Sequence, residues 1–294
     1  MSLATLIPAL IKLSITLSVF AIGLKASFAD ASYLFRRPAL LVRTLFSMNV
    51  IMPLFALLVA LSFDLNHPVE IALIALSVSP IPPILPNKAL KSGGEENYTI
   101  GLLVATTLLS IVLVPLTMEF FEVVSGITMQ MRAREVALLV LTTVLLPLIV
   151  GISVRVLWPN FADRRAKLIG LVATVLLVLC CLPILLTSVR AILTLVGNGT
   201  LFALAAFAII GLIAGHLLGG PEPDDRPVLA LTTSARHPGV ALAIAHANFP
   251  GQKLVGAVVV LYLILSAILT VPYLNWSKRT RAVGVEDRVS PATH

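Results

Sequence analysis

The chain has 294 residues, of which 58% are hydrophobic and 12% charged, with a formal net charge of +7. Soluble domains carry about 45–50% apolar and about 25% charged residues, so too few charges remain here to cover the apolar surface of a water-soluble fold. The basic residues are scattered at or between apolar stretches and form no patch, which argues against nucleic acid as a partner and for a lipid bilayer.

Residues 44–63, 98–118, 136–154, 168–189, 191–221 and 254–277 contain no Asp, Glu, Lys or Arg. About 20 apolar residues span the hydrocarbon core as a helix, whereas a transmembrane β-strand alternates over about ten. Runs such as Leu138-Leu139-Val140-Leu141 do not alternate. The predicted class is therefore an all-α polytopic membrane protein, with every backbone polar group bonded within its own helix.

Nine spans are predicted. The first, 6–27, lacks a basic leader and is interrupted by Lys12, so it reads as a retained span and not a cleaved signal. The second covers 38–63. The third, 69–92, contains Ser79-Pro80-Ile81-Pro82-Pro83-Ile84-Leu85-Pro86-Asn87-Lys88. Four prolines so close together cannot continue a helix, because each lacks an N–H and clashes with the preceding turn. The fourth, 97–121, carries Thr106 and Thr107. The fifth and sixth cover 134–157 and 166–189, the latter with adjacent Cys180 and Cys181, which are unsuited to bridging each other. The seventh covers 198–219. The eighth, 226–247, is broken at Thr232-Thr233-Ser234-Ala235-Arg236-His237-Pro238-Gly239. The ninth covers 252–275, and the polar tail 279–294 is expected to be disordered. Placing the N-terminus outside and the C-terminus in the cytoplasm puts thirteen Lys and Arg residues at inner span ends and four at outer ends, the orientation that basic residues favour. The chain is thus expected to be a multi-pass protein of the cell membrane.

The two broken spans correspond. Pro86-Asn87-Lys88-Ala89-Leu90 and Pro238-Gly239-Val240-Ala241-Leu242 share Pro-x-x-Ala-Leu, and the breaks fall in the third and eighth spans. An offset of five spans reverses orientation, so repeat one (6–121) and repeat two (134–275) are expected to be inverted, with the first lacking its leading helix. Matched interruptions in inverted halves mark the binding site of a secondary transporter. Simple proline kinks are the alternative, but ionisable residues at both breaks favour function.

At these residues the chain resembles the bile acid:sodium symporter family, within the bile/arsenite/riboflavin transporter group. The resemblance runs from Ala21-Ile22-Gly23-Leu24 and Arg36-Arg37-Pro38, through Ile51-Met52-Pro53 and the first break, to Pro238-Gly239-Val240-Ala241-Leu242-Ala243 and Ala245-His246-Ala247-Asn248-Phe249. It implies two inverted repeats, a panel and a core domain, and two discontinuous helices crossing near the midplane. It also implies sodium ligands at Asn87, Thr106, Thr107 and the position of Thr232. The family's Glu-x-Gly-x-Gln-Asn pattern is not kept, since Thr232 stands where the acidic ligand is expected, Arg236 where the first amide is expected, and Met48 where a glutamine is expected. Losing a carboxylate and gaining a guanidinium opposes a bound cation, so Lys88 or Arg236 is expected to occupy the cation's space.

The candidate substrate contacts are Asn87, Lys88, Thr106, Ser234, Arg236 and His237. Arg grips a carboxylate with two parallel bonds and Lys offers a compact charge. His237 is a candidate proton carrier or a helix cap. Asn87 and Ser234 either satisfy backbone groups or bind substrate, and Thr106 and Thr107 either bind an ion or bond back within their helix. The expected partner is a small anionic solute, with Na+ or H+ as candidate coupling ions, and no cofactor or metal centre. No zinc motif, paired intramembrane aspartates or phosphate loop is present, so a membrane enzyme ranks low. Arsenite transport ranks below organic-anion transport, because both cysteines lie away from the breaks.

Overall fold

A computed structural model describes residues 3–82, 96–125, 138, 141–195, 199–252 and 254–289. Every regular element among them is helical. In chain order these are α1 (Leu3–Lys25), α2 (Phe28–Tyr33), α3 (Pro38–Leu45), a π-helical turn (Phe46–Ile51), α4 (Met52–Ser62), α5 (His67–Val78) and α6 (Glu96–Ser125). A second π-helical turn (Leu141–Leu145), α7 (Leu146–Leu157), α8 (Pro159–Leu195), α9 (Leu201–Leu218), α10 (Asp225–Ser234), α11 (Pro238–Asn248) and α12 (Val255–Val289) follow.

Prolines set many of the helix starts. Pro38, Pro68 and Pro238 stand in the first turn of a helix, where the missing N–H would have no partner, whereas Pro53 and Pro147 follow the π-helical turns inside continuous helix. The short α2 opens with a reciprocal cap, in which Asp30 N–H donates to Ser27 Oγ and Ser27 N–H donates to Asp30 Oδ2. The guanidinium of Arg37 then lies 4.5 Å above the Tyr33 ring.

Among the described residues three continuous helical stretches, Pro38–Ser62, Leu201–Leu218 and Val255–Thr280, are long and apolar enough to cross a bilayer. A bent pair, Tyr98–Ser110 and Val112–Val124, makes a fourth with a 53° bend. Large apolar side chains face outward, with Val123 79%, Leu217 75% and Phe202 69% exposed. Lipid covers such side chains without cost, and water does not. The protein is an all-helical membrane protein.

The helices pack in two groups. α1 lies along α7 and α8, while α4, α5, α9, α10, α11 and α12 pack around one another, and the two groups meet where α8 packs on α12 and α1 on α11. Close approach depends on glycine in both groups. At Gly23 of α1 an added Cβ would meet the α7 carbonyl of Leu148 at 2.6 Å, and at Gly151 of α7 it would meet the α1 carbonyl of Phe20 at 2.5 Å. On α9, Gly211, Gly215 and Gly219 form a four-residue-spaced stripe against the backbone of Ser234, Leu229–Ala230 and Arg226. Backbones draw together this way in lipid, where dispersion replaces hydrophobic drive.

One tail expectation changes. α12 continues beyond Lys278 to Val289. No proline lies between Lys278 and Pro291, so the helical ladder has no covalent reason to stop at the polar boundary.

Candidate functional site

The site begins with carbonyl groups that prolines leave without donors. In the π-helical turn an N–H bonds the carbonyl five residues back. The donor for Met48 would be Pro53, which has none. At the end of α5, Ser79 turns extended at φ −71°, ψ 142°. Pro82 and Pro83, three and four residues on, offer its carbonyl no N–H either. In the second break, the carbonyl of Ser234 would be bonded by the N–H of Pro238, which is again missing. A buried orphan carbonyl in an apolar medium carries a desolvation penalty of roughly 1–3 kcal/mol.

Three side-chain bonds answer these orphans. Arg236 Nη2 donates to Met48 O at 3.0 Å, and Nη1 donates to Ser79 O at 3.2 Å. The Tyr262 hydroxyl of α12 donates to Ser234 O. One backbone bond joins the two breaks directly, from His237 N–H to Pro80 O at 2.9 Å. The end of α5 and the α10–α11 break are therefore in contact, with Arg236 stretched from the second break to the first and on to α3–α4.

The extended backbone from Ala235 (φ −83°, ψ 131°) to His237 (φ −76°, ψ 105°) sends neighbouring side chains to opposite sides. Arg236 points into the α4–α5 side, and only 2% of it is exposed. His237 turns the other way. Its Nδ1 accepts the Val240 N–H at 3.4 Å and caps α11. A Cβ added at Gly239 would lie 2.9 Å from Ile15 Cγ1 of α1 and 3.3 Å from His237 Cε1. Gly239, beside the imidazole, thus sits where α11 meets α1. An imidazole nitrogen that accepts an N–H carries no proton, so in the neutral ring the proton is on Nε2.

Three buried polar atoms here have no hydrogen-bond partner among the described residues: Arg236 Nε, His237 Nε2 and Ser234 Oγ. No carboxylate pairs with Arg236 among the described residues. Ser234 is the last residue of α10, and its backbone packs against Gly211 of α9. The predicted residues do not all converge, then, because Arg236 and His237 lie on opposite sides of the extended segment.

The predicted hydroxyls are spent within their own helices. Thr106 Oγ1 donates to Leu102 O at 2.7 Å, and Thr232 Oγ1 lies 2.9 Å from the carbonyls of both Val228 and Leu229. Such back-bonding is the usual resort of a threonine in lipid. The Thr107 side chain, Asn87 and Lys88 lie outside the described residues. The Met48 carbonyl and Tyr262 are the contacts that residue types alone did not suggest. Their signal is positional, namely a proline five residues after Met48 and another four residues after Ser234.

Next to the break, Ser47 Oγ and Thr233 Oγ1 are 2.8 Å apart and join the π-helical turn to α10. Bonds of this type between membrane helices average about 0.6 kcal/mol. A double-mutant cycle of Ser47→Ala and Thr233→Ala, followed by thermal unfolding, is expected to return a coupling of about that size. Zero coupling would mean the two hydroxyls act independently.

The sodium bile acid symporter family model matches residues 12–195, from within α1 to the end of α8. No curated protein matches the chain. A match of that extent, on an all-helical membrane protein with a polar break in its interior, places the chain in the sodium bile acid symporter family.

Proposed function

We propose that the protein is a secondary transporter that moves a small organic anion by alternating access, without sodium at the positions its relatives would use. In this reading nine spans form two inverted repeats, the first short of its leading helix, with the N-terminus outside. The group of α1, α7 and α8 and the group around the breaks shift against each other, carrying the anion past the contact between them.

The carrying observation is His237. It is buried, Gly239 two residues on packs against Ile15 of α1, and the His237 Nε2–H donor has no acceptor among the described residues. The first turn of α11 adds a second donor, because Gly239 N–H at a helix start has no intrahelical acceptor. A helix N-terminus favours negative charge. Behind both stands Arg236, whose charge is met by neutral carbonyls alone among the described residues. Donors and a positive charge without a carboxylate call for an anionic acceptor. They do not suit a sodium ion, which requires oxygen lone pairs. In this role Arg236 acts through its field, and Ser234, Asn87, Lys88 and Thr106 line the route or support the break. Proton coupling through His237 gains no support, because the nitrogen that would take a proton is engaged in capping.

The test is a thermal-shift screen of small organic anions against the purified protein, in sodium or choline chloride. A ligand that binds only the folded state raises the melting temperature. Stabilisation by the same anion in both salts is the expected result. His237→Asn keeps a cap acceptor and removes the distal donor, so it is expected to fold and to bind that anion about tenfold more weakly, the equivalent of about 1.4 kcal/mol. Stabilisation in sodium alone, or by no anion, would remove this reading.

A further inference from the structure

We infer that Arg236 is a resident cation for the helix crossing: its guanidinium does permanently what a free monovalent cation would do, and removing it makes the fold depend on a cation from solution. The inference deepens the sodium-independent reading above and concerns the internal side of the break, not the anion.

The argument rests on what the guanidinium touches. Met48 O and Ser79 O come from two different helices, and each lacks a local donor because of a proline. Two convergent carbonyl dipoles in an apolar interior make a region of negative potential. Either a positive ion or a charged donor can satisfy it, and a carbonyl is a good ligand for both. Arg236 meets it with a delocalised charge and two of its donors, is 2% exposed, and has no carboxylate partner among the described residues. An ordinary buried arginine is neutralised by an acid; this one is held by dipoles, as an ion in a carbonyl cage is. The planar fork reaches both carbonyls at once, which an ammonium at the end of a lysine does less well. Because the charge is covalently attached to the break, it cannot enter or leave with a transport cycle. It holds α3–α4, the end of α5 and the α10–α11 break in one arrangement irrespective of the salt.

The experiment compares the melting temperature of the parent protein with Arg236→Ala and Arg236→Gln in choline, sodium and methylguanidinium chloride at equal ionic strength, with no organic anion present. The parent is expected to melt at the same temperature in choline and sodium. Both variants are expected to melt several degrees lower in choline and to recover part of that loss in low-millimolar methylguanidinium, with a smaller recovery in sodium. Arg236→Gln retains N–H donors without charge, so it carries the test if Arg236→Ala does not fold. A parent that is itself stabilised by sodium would overturn the inference. So would a Gln variant that melts like the parent, or variants equally unstable in all three salts. The organic-anion screen is separate, since anion binding by the parent in choline can fail while cation rescue of the variants succeeds, and the reverse.

Discussion

Gly215→Ala is expected to destabilise the protein by about 1–3 kcal/mol, while Gly170→Ala, the same chemical change in another helix, is expected to be neutral or to stabilise it. At Gly215 the new Cβ would stand 2.4 Å from Leu229 O and 2.5 Å from Ala230 Cα. Both obstacles are backbone, so α9 and α10 must separate, and the dispersion contacts along the Gly211–Gly219 stripe weaken together. At Gly170 the new Cβ would meet only Ala21 Cβ, at 3.6 Å. That is ordinary contact, and the helix gains up to about 1 kcal/mol from losing a glycine. Thermal unfolding of both variants in one detergent checks the pair. Equal shifts would mean that α9 and α10 are not held at this distance. Separation would also reach function, because α10 ends at Ser234 and its position sets where the second break begins.

The same break shows how far residue types alone can lead. The fold class was legible from the uncharged runs, since hydropathy over about 20 residues reports directly on the solvent. The breaks were legible for an equally direct reason: proline lacks an N–H wherever it stands. The direction of the side chains at the break was not legible. Whether Arg236 faces a substrate or two carbonyls depends on the φ and ψ of Ala235 and His237, and no periodicity encodes those angles. The expectation that Lys88 or Arg236 stands in a cation's space rested on which residues were replaced; Lys88 lies outside the described residues, and Arg236 bonds Met48 O and Ser79 O. Its grouping with His237 and Ser234 as one cluster rested on proximity in sequence, which extended backbone turns into divergence. Thr106 and Thr232 illustrate a different limit. A threonine in lipid always has a carbonyl of its own helix within reach, so its presence in a span carries little information about ligands.

Tyr262→Phe supplies the other large effect, and its size is expected to depend on Pro238. The hydroxyl donates to Ser234 O, and the phenol is fully buried against the ring of Phe207, with centroids 5.6 Å apart. Phenylalanine preserves that packing, so the loss falls on the polar groups the hydroxyl meets, Ser234 O and the Ser266 side chain. With proline at 238 no local N–H can replace the hydroxyl, and an unmet buried acceptor costs about 1–3 kcal/mol. With Pro238→Ala a peptide N–H stands four residues after Ser234, in the register of an unbroken helix. In that background Tyr262→Phe is expected to cost less than about 1 kcal/mol. The cycle of single and double variants isolates the difference, and an equal cost in both backgrounds would show that Tyr262 does not stand in for the missing N–H. The Pro238→Ala variant also tests the break itself. If the restored N–H lets α10 run on, Ala235–His237 leave their extended conformation, Arg236 swings away from Met48 and Ser79, and His237 N–H loses Pro80 O. Anion binding is then expected to fall more than stability does, because the new helical bonds offset the broken ones in the fold and none of them rebuilds the contact between the two breaks.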